Sequence, residues 1–93
     1  MEGKESQQDL LKNVGDRIKQ TRVAAGLSQE GFAKAAGMSA GFVWRIEEGR
    51  QNLGLKSLAR VAFALNVSMA DLLSGIDADP SSLGPRPYKR RLD

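Results

Sequence analysis

Apolar side chains recur along this chain at intervals of three and four, the mark of helices that each bury one stripe. From Asp9 to about Ala25 the stripe is Leu11, Val14, Ile18 and Ala25, with Arg17, Lys19 and Arg22 off it. Gly26 stands where a helix C-cap is expected, and Leu27 can fold back on the core. Ser28 is a good N-cap for a second helix, whose first-turn Glu30 suits the positive end of the helix dipole. Its stripe is Phe32, Ala33 and Ala36, and Gly37 ends it. Ser39 caps a third helix, in which Phe42, Val43 and Ile46 point inward and Gly49 is the stop. After a loop over 50–54, Leu55, Leu58, Val61, Ala62 and Leu65 give the stripe of a fourth. Ser68 and Asp71 have the spacing of a capping box, which starts a short fifth helix through Leu72 and Leu73 to Gly75.

No strand-like alternation and no internal repeat appears, so the expected fold is all-α, with five helices. Residues 1–8 are polar and aperiodic and read as a flexible extension; 9–76 read as the folded domain. Residues 77–93 read as a basic tail containing Pro and Gly. Within it Asp79-Pro80-Ser81-Ser82 and Gly84-Pro85-Arg86-Pro87 are expected to be turn-rich and non-helical.

Composition narrows the chemistry. The 93 residues, 41% of them hydrophobic, suit one small domain with loose ends. There is no cysteine and no histidine, so disulfides, thiolate ligands, the usual metal ligand and the usual general base are all missing. Glu47 and Glu48 are sequence neighbours and diverge around a helix, and no Gly-rich phosphate loop occurs. An enzyme is not expected, nor a metal or cofactor. No apolar run approaches the roughly 20 residues that span a bilayer. The polar start Met1-Glu2-Gly3-Lys4-Glu5 does not read as a signal peptide, so a soluble cytoplasmic protein is the expectation. The net charge of +3 is unevenly placed: residues 13–53 hold an excess of bases, and the last ten carry Arg86, Lys89, Arg90 and Arg91 against Asp93 alone. That asymmetry suits a polyanion partner, although an ordinary solvated basic surface would look the same.

The second and third helices carry the sharpest signal. In a tight helix–turn–helix the fifth residue lies beneath the second helix and must be small; counted from Gln29, it is Ala33. The ninth needs a conformation easy for glycine, and it is Gly37. The fifteenth and eighteenth must be aliphatic anchors, and they are Val43 and Ile46. At 100° per residue, Ala40, Gly41, Trp44, Arg45 and Glu48 then face outward. Arg45 is the best base reader, because a guanidinium can donate two bonds to guanine O6 and N7; a phosphate or solvent contact is the alternative. Trp44 could pack on sugar or thymine methyl groups, or fold over its own apolar neighbours. The helix N-termini at Gln29 and Ser39 can donate N–H groups to phosphates, and Arg50 joins the candidate DNA contacts.

At these residues the chain resembles the helix–turn–helix regulators typified by lambdoid phage repressors and Cro, the XRE family. The likeness runs from about Val14 to Leu73. It includes Arg22-x-x-x-Gly26-Leu27-Ser28-Gln29-Glu30, Phe42-Val43-x-x-Ile46-Glu47-x-Gly49 and Leu55-x-x-Leu58-x-x-Val61-Ala62-x-Ala64-Leu65-x-Val67. Glu47-x-Gly49-x-x-Asn52-x-x-Leu55 looks most like restriction–modification controller proteins. The resemblance implies a compact five-helix, lambda-repressor-like DNA-binding domain. It further implies that Gln29 bonds phosphate and a base edge, that Arg22 grips a phosphate, and that Ser39, Ala40, Gly41, Trp44 and Arg45 face the groove. Glu47, by the same resemblance, is structural and pairs with a base such as Arg22. Ala40 and Gly41 depart from the polar readers of many members, so direct readout rests on few side chains.

The expected function is sequence-specific binding of a double-stranded operator, with the helix over 39–48 in the major groove. One such helix covers only a few base pairs, so a homodimer is expected. Val67, Met69, Leu72, Leu73 and Ile76 are the candidate dimer interface, being more apolar bulk than a 60-residue core easily covers; a helix packed wholly on its own domain is the alternative. An antitoxin-type module with a second, unknown protein partner is the rival reading. The tail could be a solvated arm, an arm along DNA or a strap across the dimer.

Overall fold

A computed structural model describes residues 9–84 of the chain. The expectations for the extension 1–8 and for the tail beyond Gly84 lie outside these residues. Among the described residues five α-helices form: α1 Leu10–Ala24, α2 Gln29–Ala36, α3 Ala40–Glu47, α4 Leu55–Leu65 and α5 Met69–Leu73. A short 3₁₀ turn, Pro80–Leu83, follows. That turn corrects the non-helical reading of 80–82, Asp79 staying outside it: proline presets the backbone dihedral that a first helical position needs.

The boundaries have local causes. Asp9, Ser28, Ser39 and Ser68 each accept a hydrogen bond from an N–H in the first turn of the helix they precede. The Ser68–Asp71 capping box closes from both sides, with Asp71 accepting from the Ser68 N–H at 3.3 Å. Helix ends repeat one device, a left-handed residue that, with the residue after it, turns N–H groups back onto the last carbonyls. At the end of α1, Leu27 N–H donates to Arg22 O at 3.2 Å. At the end of α4 the left-handed residue is Asn66 rather than glycine.

Ile18, Phe32, Val43, Val61 and Leu72, from five different helices, are at most 1% exposed and meet in one core. Each such side chain is worth about 1.5–3 kcal/mol when fully buried. Leu55, expected on the buried stripe of α4, is instead 77% exposed. It opens the helix before the buried series Leu58, Val61, Ala62 and Leu65 reaches the core.

Helix α1 crosses the exit of α3 at backbone contact. A Cβ on Gly15 would collide with the carbonyl oxygen of Ile46, and one on Gly49 would lie 2.8 Å from Lys12 Cα. Arg17, read from sequence as part of a polar face, clamps the other end of the fold. Its Nη1 and Nη2 donate to the carbonyls of Asp71 and Ser74, both at 3.0 Å, where the end of α5 favours positive charge.

Candidate nucleic-acid interface

The geometry between α2 and α3 follows from four residues. Ala33 is 3% exposed beneath α3, and Gly37 takes φ 70°, ψ 37°. Met38 N–H donates to Ala33 O at 2.8 Å, which tightens the turn. Val43 and Ile46, 0% and 2% exposed, seat α3 on the core. The other side of α3 is then bare. Ser39, Ala40, Gly41, Trp44, Arg45 and Glu48 are all exposed, whereas Phe42, expected to point inward, is half-buried at the edge.

Behind this face lies a buried polar frame. Arg22 Nε donates to Glu47 Oε2 at 2.6 Å, and Nη2 to Oε1 at 3.0 Å. Arg22 Nη1 donates to Leu27 O at 2.8 Å, and Gln29 Nε2 to Glu47 Oε1 at 3.0 Å. The Glu47 carboxylate thus ties α1, α2 and α3 together, and Arg22 holds the loop after α1. Glu47, hydrogen-bonded to the guanidinium, holds the Arg22 pKa above its ordinary value, desolvation opposing and the carboxylate charge assisting. The pairing of Glu47 with Arg22 matches the resemblance. The phosphate grip assigned to Arg22 does not: every nitrogen of its guanidinium already has a protein partner, and the side chain is only 10% exposed. Arg22 orients α3 from behind.

On the outer face the charged groups lie against aromatic rings. The Arg45 guanidinium sits over the Phe42 ring at 5.5 Å, and that of Arg50 over Trp44 at 5.4 Å. Trp44 is 43% exposed and serves as the platform for Arg50. Arg45 Nε also donates to Gln51 Oε1 at 3.2 Å, a partner that sequence reasoning missed. Side-chain pairing of two exposed loop and helix residues leaves no periodic trace in a sequence.

The apolar residues expected at a dimer contact divide. Leu72 is 1% exposed and belongs to the core, so it is withdrawn from that surface. Val67, Met69 and Ile76 are half-buried and Leu73 is 39% exposed. Leu73 and Ile76 line an open, mainly apolar groove of about 270 Å³ together with Leu10, Leu11 and Leu53. A second apolar feature, unmarked in the sequence reading, is Phe63, 85% exposed on the outer side of α4.

The family model described as the helix–turn–helix domain matches residues 13–74. The chain belongs to that family. The match takes in all of α2 through α5 and most of α1. An uncharacterized HTH-type transcriptional regulator, y4dJ of Sinorhizobium fredii, is 33% identical over 72 residues, covering 77% of this chain and 94% of that protein. The restriction–modification controller protein C.AhdI of Aeromonas hydrophila superposes with TM-score 0.66 at 34% identity, over 67% of this chain and 94% of that one. The clp gene regulator ClgR of Corynebacterium glutamicum does so with TM-score 0.67 at 31% identity, over 69% and 68%. With these relatives this helix–turn–helix chain stands among the DNA-binding regulators of transcription. Among the described residues no helix is long and apolar enough to cross a membrane.

Proposed function

We propose that the chain recognises a specific operator as a homodimer, laying α3 of each copy in the major groove. The observation that carries this reading is the two-sidedness of α3. Val43 and Ile46 fasten one side, and the other presents Ser39, Ala40, Gly41, Trp44 and Arg45 to solvent. Ala40 and Gly41 leave room for the helix to sit deep, and Arg45 reads a guanine. Phosphates meet Arg50 and the N-termini of α2 and α3, at Gln29 and Ser39. Such an operator places the protein in the cytoplasm, and the work is binding rather than catalysis.

One α3 reads too few base pairs for genomic selectivity, which favours the dimer. Leu73 and Ile76 at the apolar groove, with Val67 and Met69, are the contact we assign to it. A second reading, an antitoxin-type module with a further protein partner, is favoured by the exposed Phe63, which such a partner would cover.

Fluorescence anisotropy on labelled random duplex, over a range of salt, tests the DNA reading. Affinity should fall linearly with salt on logarithmic axes, with a slope that counts the phosphates engaged. Salt-independent or absent binding would refute it. Sedimentation velocity at micromolar concentration, with and without duplex, tests the dimer: monomers under both conditions would reject it.

A further inference from the structure

Helix α3 does not simply stop; it is folded back on itself. Gly49 takes φ +76°, its N–H donates to Ile46 O at 3.1 Å, and Arg50 N–H donates to Arg45 O at 2.8 Å. This paired turn returns residues 50–52 alongside the last turn of α3. Gln51 is thereby brought next to Arg45. Its Nε2 donates to the Asn52 carbonyl at 3.2 Å, which fixes the amide's orientation and aims Oε1 at the helix. There Oε1 accepts from Arg45 Nε at 3.2 Å.

Two further neighbours complete the seat. The Phe42 ring lies beneath the guanidinium, and Arg45 Nη1 is 3.8 Å from the place a Cβ on Gly41 would take. An arginine can meet guanine O6 and N7 side-on, through Nε and one Nη, or end-on, through both Nη groups. An acceptor already on Nε closes the side-on pair and leaves the end-on pair of an exposed side chain.

We propose that Gln51, outside the helix–turn–helix itself, is a positioning residue that sets the base preference of Arg45 by holding Nε and committing the guanidinium to end-on recognition. The inference rests on the DNA-reading role of α3 proposed above. An exposed arginine otherwise spreads over many rotamers, and ordering it at the moment of binding weakens discrimination.

Selection from a library of randomised duplexes, using the full chain, tests this. The wild type should enrich a motif with a preferred guanine in each half-site, and Arg45→Ala should flatten that position. Gln51→Met keeps the length of the side chain but has no acceptor, and it should reduce the guanine preference at the same position by roughly 2- to 12-fold, the range of one hydrogen bond. Gln51→Glu keeps the acceptor and should keep the preference, whatever its overall affinity. Melting temperature and affinity for random duplex should match the wild type in Gln51→Met, results that a merely structural residue would not give. An unchanged motif in Gln51→Met, a loss at a different position from Arg45→Ala, or a loss in Gln51→Glu as large as in Gln51→Met would each overturn the inference. If the wild type itself enriches no motif, the DNA-reading role falls and the inference with it. A wild-type motif that survives Gln51→Met removes the inference alone.

Discussion

Arg22 and Arg45 are the same residue type, one on each side of α3, and their surroundings suit them to opposite work. Arg22 is sealed behind α3, with its nitrogens spent on Glu47 and the Leu27 carbonyl. Arg45 lies in front, exposed and supported by a ring and a single side-chain acceptor. The first converts charge into rigidity, because a buried pair holds only if both partners stay in register. The second is the side chain proposed above to read a base. Charge content alone, which counts both as basic residues near the helix pair, cannot separate frame from reader.

The sharpest way to break the frame is Arg22→Ala, which strands the Glu47 carboxylate in the interior. A loss of about 3–5 kcal/mol of stability is expected, seen in thermal melting as a fall of at least about 12 °C. DNA binding should disappear with the fold rather than through a lost phosphate contact. Below the melting transition, an unchanged melting temperature with a shallower salt slope would return Arg22 to the interface.

A smaller effect is expected at the junction of the two regions. Ser39 Oγ accepts from Phe42 N–H at 3.1 Å and so starts α3. Ser39→Ala should cost about 1 kcal/mol of stability by denaturant titration, and should loosen the N-terminus of the reading helix. On the outer face itself, Arg45→Ala should alter stability by no more than about 0.5 kcal/mol in the same titration. Arg50→Ala should be equally silent in stability, yet reduce the salt slope of duplex binding by about 1 for each copy engaged. A slope that does not move would leave Arg50 a partner of Trp44 and nothing more.

The local devices were legible in the sequence. Ser28, Ser39 and the Ser68–Asp71 pair cap where their spacing indicated, and Gly37 takes the left-handed turn its position demands. Val43 and Ile46 are buried as the helical period required, because burial on a short amphipathic helix is set within a few residues. What escaped depends on which helices cross. Nothing in the sequence around Gly15 marks the Ile46 carbonyl that packs against it. Leu72, expected at a partner contact, is 1% exposed, and Leu55, expected on a buried stripe, is 77% exposed: both are leucines near helix ends, where tertiary packing rather than helical period decides which is covered. Arg17, Gln29 and Gln51 acquire their roles from partners 54, 18 and 6 residues away. In the site, therefore, the scaffold of α3 was readable in advance, but the frame behind it and the seat of its arginine were only partly so.

The division between frame and reader is tested most directly by the ratio of affinities for the selected duplex and for random duplex, measured at one salt concentration for the wild type and Arg45→Ala. Loss of one guanine contact is worth about 1–3 kcal/mol, so the ratio should fall by roughly 5- to 150-fold while affinity for random duplex stays within about twofold. If both affinities fall together and the ratio holds, Arg45 grips the backbone, and the outer face of α3 is not the surface that reads sequence.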